Sequence, residues 1–283
     1  MQRERVADDI YVFTSDLYVQ VTASAIITTA GVVLFDTLAY PEETRQMKRF
    51  LEGRLGKEVI FVVNSHFHAD HTTGTCFFEN ARVISHARCR TLLDQRGRPS
   101  LAQAQATSDD LRDVQLVLPD IVFDDGAMTL HIGGKTLEFW HTPGHSPDTI
   151  VCYVKEDRVL LGSDTVMPVP HFVDGDYGDF VNSLRRLQHG SYENIVQGHG
   201  EVILRGEIDE KIQEDLDYLE KLRDAVDQAL MKPSALESVA IEACGKSRIL
   251  LNGAAEQLHR QNVLALAQQR REALEHTSIG SNP

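Results

Sequence analysis

The chain has 283 residues, of which 42% are hydrophobic and 25% charged, enough for one sizeable domain with its own core plus an appendage. Its formal net charge of −14 argues against a sequence-independent hold on nucleic acid, which needs a basic surface. No apolar stretch nears the ~18 residues of a membrane span, the opening Met1 to Asp9 has no apolar signal segment, and Cys76, Cys89, Cys152 and Cys244 form no Cys-x-x-Cys pair, so a reduced cytoplasm is expected.

Ile10–Thr14, Val19–Thr28 and Val32–Asp36 read as successive strands, with Gly31 as a turn signal. Pro41 to about Leu55 has helical spacing with proline in the first turn. Glu58–Asn64 is a short apolar run rich in β-branched residues, the signature of a buried strand. Arg82–Ser85 is another strand, and residues 86–117 are helical or irregular. Ile121–Phe123, Met128–Ile132 and Thr136–Trp140 cluster as strands, with Gly133-Gly134 as a hairpin turn. Thr149–Val154 and Val159–Leu161 pair across Lys155–Arg158, and a further short strand leads into Gln197. Past Gly206 the character changes. Ile208–Met231 is a long amphipathic helix, Pro233 breaks it, residues 233–275 read as two more helices, and Thr277–Pro283 as a frayed end. The division is therefore a catalytic domain over 1–206 and a helical extension over 207–283.

The most informative segment is His66-Phe67-His68-Ala69-Asp70-His71, at the end of the buried strand. In an extended or tightly looped backbone His66 and His68 project to the same side, so two nitrogens converge on one cation. Asp70 and His71, beyond the turn, can point at a second. The competing reading is a surface loop that happens to be rich in histidine. Three more segments put ligand-type residues at strand ends: His145 in a Pro/Gly turn, Asp164 after Leu160–Ser163, and His199 between two glycines. Five histidines and two aspartates without a thiolate suit two borderline cations.

HFHADH at 66–71, TPGHSPD at 142–148, GSD at 162–164 and GHG at 198–200 together resemble the metallo-β-lactamase superfamily, over roughly residues 8–205. The resemblance implies an α/β fold, the αββα sandwich, with a dinuclear site at one edge. It implies that His66, His68 and His145 hold metal one, that Asp70, His71 and His199 hold metal two, and that Asp164 bridges both. Asp36 matches an early aspartate that supports the ligand loop from behind. The implied cofactors are two zinc ions per chain, with manganese or iron as alternatives.

Two cations roughly 3.5–4 Å apart lower the pKa of a shared water toward 7, which makes metal-assisted hydrolysis the reaction class. Asp70 is the candidate to orient the water and shuttle its proton. The substrate is less defined. The β-lactamase subclass with the most similar TPGHSPD segment carries cysteine at the place of Asp164, arginine at His71 and lysine at Met167. Quorum-signal lactonases carry tyrosine where Met167 stands, and His171 or Tyr177 are candidates to replace it in the pocket. The apolar Val166–Phe172 loop is a candidate lining for a neutral substrate, with Met167, His171 and Phe172 in the wall, the alternative being a buried connection that packs on the sandwich. The leading reading is a cytoplasmic hydrolase of a small-molecule ester, lactone, thioester or β-lactam-like amide. The rivals are a phosphodiesterase or nuclease of the same fold, and an iron enzyme such as a persulfide dioxygenase. The polar Leu92–Asp113 segment is a candidate lid. The C-terminal helices are candidates to cover the site or to form a homodimer contact.

Overall fold

The computed structural model of the chain describes residues 1–124, 126–231 and 233–279. The first half builds a seven-stranded sheet in chain order: β1 (Gln2–Ala7), β2 (Ile10–Thr14), β3 (Thr22–Ile27), β4 (Val32–Phe35), β5 (Val59–Val63), β6 (Arg82–His86) and β7 (Ile121–Phe123). The pairs up to β4 are antiparallel, and β4 to β7 run parallel. Connections in this half carry α1 (Pro41–Lys48), the single turn α2 (Ala69–Thr72), α3 (Ala87–Leu92) and α4 (Arg98–Gln105). The parallel strands β4 and β5 are Val/Ile/Leu/Phe runs, as strands covered on both faces must be.

The second sheet has six strands in the order β13-β12-β11-β10-β9-β8, formed by β8 (Ala127–Ile132), β9 (Lys135–His141), β10 (Ile150–Val154), β11 (Val159–Ser163), β12 (Asn194–Gln197) and β13 (Val202–Leu204). Only β11 and β12 are parallel, and α5 (Tyr177–Leu187) makes the crossover between them. The long helices α6 (Ile208–Leu230) and α7 (Ala255–Ile279) complete the chain.

The sheets face each other through Ile10, Val12, Ile26, Val33 and Val63 on one side and Leu137, Phe139, Ile150, Cys152 and Leu161 on the other. Each fully buried side chain of this kind contributes about 1.5–3 kcal/mol. Outside the first sheet, Met47, Phe50 and Leu51 of α1 and its continuation pack on Val32, Leu34 and Val62. Outside the second, Leu187, Ile208 and Ile212 pack on Leu160 and Ile195. The layering is the expected αββα sandwich. The C-terminal helices close a separate apolar cluster with Val169, Phe172 and Phe180. All four cysteines are free thiols, and among the described residues no helix is long and apolar enough to cross a membrane.

The structure corrects two readings and adds two elements. The strand expected from Val19 begins at Thr22, because Val19 and Gln20 form a turn at positive φ (41° and 54°). Residues 233–275 hold one long helix, α7, preceded by three short turns. Leu251 and Asn252 in left-handed geometry stop an earlier helix from propagating. Strand β1 and helix α5 were not anticipated. β1 is a polar, exposed edge strand with no apolar alternation. For α5 a signal exists: Asp176 caps the Asp179 N–H at 2.8 Å, and Phe180, Leu184 and Leu187 repeat at helical spacing. The frayed end expected at Thr277–Pro283 lies outside the described residues from 280 onward.

Candidate metal centre

Strands β4, β5, β9, β11 and β12 end at one edge of the sandwich, and the chemistry-bearing residues leave from those ends. Hydrogen bonds lock the sheets together there, among them those from the Ile150 N–H to the Ser65 carbonyl and from the Thr22 N–H to the Gly198 carbonyl.

Three groups of potential ligand atoms form, each with its atoms within 4.8 Å of one another: His66, His68 and His145; His66, His71 and Asp164; Asp70, His71 and His199. Nδ1 of His68 lies 2.9 Å from Nε2 of both His66 and His145. Nitrogens on one tetrahedral zinc stand roughly 3.3 Å apart, so this trio has nearly the spacing that one cation requires. Asp164 lies between the groups. Its Oδ2 is 3.2 Å from His145 Nε2 and 3.5 Å from His199 Nε2, and its Oδ1 is 3.2 Å from His71 Nε2. Asp70 Oδ2 is 3.3 Å from His199 Nε2. All seven residues expected as ligands therefore fall in these three groups, which share His66 and His71.

Each ring is turned by a contact at its other nitrogen. His145 Nδ1 donates to the His171 carbonyl, His199 Nδ1 to the Val19 carbonyl, His71 Nδ1 to Asp36, and His68 Nε2 to Asp174, at 2.7–2.9 Å. His66 Nδ1 meets the Ser65 hydroxyl at 2.9 Å. Such partners fix the tautomer and leave the opposite lone pair facing the centre. Asp36 is placed at positive φ (63°) after β4 and also accepts the Ser65 N–H at 2.8 Å.

The electrostatics ask for positive charge. Asp164 is held well below the usual carboxylate range although burial opposes this, because His71, His199 and His145 face it. Burial lowers the pKa of His199, yet Asp164 and Asp70 outweigh it and hold the ring up to about 10. His145, where burial and His68 outweigh Asp164, falls to about 3. His71 Nε2 and Asp164 Oδ1 are buried 3.2 Å from each other, and neither makes a hydrogen bond of good geometry. A cation among these oxygens and nitrogens would satisfy both, so the donor set fits divalent metal ions.

The groups sit on the floor of a cleft of about 700 Å³. Its walls include Val19, Leu111, Met167, Val173 and Leu258, with Tyr18, Tyr40, His171 and Gln261 as polar edges. Met167 and His171 line it. Phe172 and Tyr177 do not: Phe172 is fully buried against Phe180, and the Tyr177 hydroxyl donates to the Leu219 carbonyl. Sequence reasoning missed Tyr18, Asp174 and Gln261. The Asp70 charge, then burial, pushes the Tyr18 phenol up to about 12, so it remains a hydrogen-bond donor. Asp174 is held below the carboxylate range, first by His68, with burial opposing and Arg96 assisting.

Comparison with known proteins identifies relatives of the chain. The linear primary-alkylsulfatase of Pseudomonas sp. is 26% identical over 69% of this chain and 43% of its own length. Acyl-coenzyme A thioesterase MBLAC2 of Bos taurus is 26% identical over 50% of this chain and 56% of its own, and the metallo-beta-lactamase type 2 of Bacillus cereus 25% over 63% and 66%. The chain thus spans about two fifths to two thirds of the length of these curated relatives. A metallo-beta-lactamase family protein from Thermus thermophilus superposes with a TM-score of 0.72 at 18% identity, covering 95% of both chains. The sequence profile of the metallo-beta-lactamase superfamily matches residues 18–226, and the chain belongs to that superfamily of hydrolases.

Proposed function

We propose that the chain is a two-cation hydrolase of acyl bonds, acting on a small ester, lactone, thioester or β-lactam-like amide. His66, His68 and His145 would hold one cation, Asp70, His71 and His199 the other, and Asp164 both. Zinc suits this nitrogen and oxygen set, with manganese or iron as alternatives. When bound, the cations supply Lewis acidity toward the carbonyl oxygen and lower the pKa of the attacking water toward about 7. The carrying observation is the position of Asp164, with one carboxylate oxygen 3.2 Å from His145 Nε2 and the other 3.2 Å from His71 Nε2.

Asp70 is the partly exposed carboxylate of the set and lines the cleft, so it would orient the water and take its proton. Tyr18, also in the wall, would donate to a substrate oxygen. The apolar walls favour a neutral acyl compound over an anion. A cytoplasmic location and a small-molecule substrate are part of the same reading.

A second reading, hydrolysis of an alkyl sulfate ester, draws on the likeness to the Pseudomonas alkylsulfatase. It ranks behind because, among the described residues, neither lysine nor arginine lines the cleft to neutralise a sulfate. Metal content per chain, paired with chromogenic ester, lactone, β-lactam, phosphodiester and alkyl sulfate substrates, tests both. Two zinc ions with acyl cleavage support the first reading. One iron, or cleavage of the sulfate or phosphodiester alone, overturns it.

A further inference from the structure

The loop after Asp164 supplies two of the contacts that orient the histidine trio, and the C-terminal helix holds that loop. The His171 carbonyl accepts from His145 Nδ1 at 2.7 Å, and the Asp174 carboxylate from His68 Nε2 at 2.9 Å. Asn262, on α7 and fully buried, donates from Nδ2 to the Pro170 carbonyl at 2.6 Å and accepts the Phe172 N–H at 3.2 Å. Gln269, two turns further on, donates from Nε2 to the Gly175 carbonyl at 3.0 Å and accepts the Tyr177 N–H at 3.2 Å. The two amides therefore pin the loop on both sides of His171 and Asp174. The partners of the other group come from different parts of the chain: Asp36 after β4 for His71, and Val19 in the β2–β3 turn for His199.

We propose that Asn262 and Gln269 are positioning residues for the cation held by His66, His68 and His145. On this view the C-terminal helix sets the affinity of one metal position and leaves the other alone. The inference rests on the two-cation reading above. Its physical basis is that a partner which turns a ligating imidazole typically changes metal affinity by about 10–100-fold when lost, and here the backbone on either side of those partners is held by α7, with Arg96 holding the Asp174 carboxylate itself.

The test is titration of metal-free protein with zinc against a chromogenic chelator, for wild type, Gln269→Leu and Asn262→Asp. The aspartate keeps the acceptor for Phe172 and loses the donor to Pro170. Leu222→Ala, in the α6 core of the same helical cluster, serves as a comparator that lowers thermal stability while keeping both amides and their hydrogen bonds to the loop. Wild type should bind two ions. Gln269→Leu and Asn262→Asp should each weaken one of them about tenfold or more, with the other unchanged, and Leu222→Ala should move neither. Unchanged affinities in the folded variants, a parallel fall at both positions, or the same split in Leu222→Ala would overturn the proposal. If Asn262→Asp does not fold, Gln269→Leu decides, because that side chain is only partly buried. A wild-type chain that binds one ion removes the two-cation reading first, and this inference with it.

Discussion

Asp36 and His71 are 35 positions apart in the chain and 2.9 Å apart in the fold, where the imidazole Nδ1 donates to the carboxylate. The other Asp36 oxygen accepts the Ser65 N–H, one residue before His66. One buried carboxylate therefore sets both the ring angle of His71 and the path of the backbone into the histidine run.

Asp36→Asn tests that role. Asparagine tolerates the positive φ at this position and keeps an acceptor, but it removes the charge that steadies the His71 ring. The fold should survive, while affinity for the metal held by Asp70, His71 and His199 should fall by about 10–100-fold. Wild-type metal affinity in a folded Asp36→Asn protein would show that the carboxylate is merely a turn residue.

Asp70→Asn addresses the proton instead. If Asp70 orients and deprotonates the water, the amide should leave far-UV circular dichroism unchanged and reduce kcat by about 10²–10⁴-fold. Turnover near wild type would reassign the base, and a loss confined to KM would make Asp70 a binding group only.

How far the sequence reaches depends on where the information is local. The strands β4, β5, β10 and β11 were legible because they are buried on both faces and must be continuous apolar runs. The HFHADH run was legible because its chemistry is compressed into six positions. The partners that orient these rings were harder to see. Asp174 reaches His68 across 106 positions, and Asn262 reaches Pro170 across 92, with only ordinary loop and helix residues at either end. Tyr18 enters the cleft because of the unusual turn at Val19 and Gln20, and no periodicity encodes that turn. Phe172 and Tyr177 were misplaced for the converse reason. An apolar loop beside a ligand reads as pocket lining, while the helices packed over it turn the same residues into core.

Gly198 shows what the glycine before His199 is for. A Cβ there would lie 1.9 Å from Asp164 Oδ1 and 2.6 Å from the Ser163 carbonyl carbon, so β11 and β12 close on each other at the centre only without a side chain. Gly198→Ala should destabilise the protein by about 1–3 kcal/mol through overpacking and lower metal content together with stability. Gly206→Ala, where nothing lies within 4 Å, should be near neutral. Full metal loading in Gly198→Ala would mean that the edge repacks without moving Asp164.

His86 supplies a pH test away from the metal ligands. It stacks on His141 with ring centroids 4.1 Å apart, donates from Nε2 to the Asp124 carbonyl at 2.6 Å, and accepts the Arg88 N–H at Nδ1. Burial first, and His141 second, hold it below its ordinary value of 6.5. The sign follows from proton counting: between the folded and unfolded values the unfolded chain binds a proton that the folded chain does not, so stability falls as pH drops below about 6.5. His86→Asn keeps an acceptor for the Arg88 N–H at the start of α3 and removes the titration. Its melting temperature should therefore fall less than that of wild type between about pH 7.5 and 5.5, a difference in which the histidines that do not touch His86 cancel. Parallel melting curves across that window would show that protonating His86 costs the fold nothing.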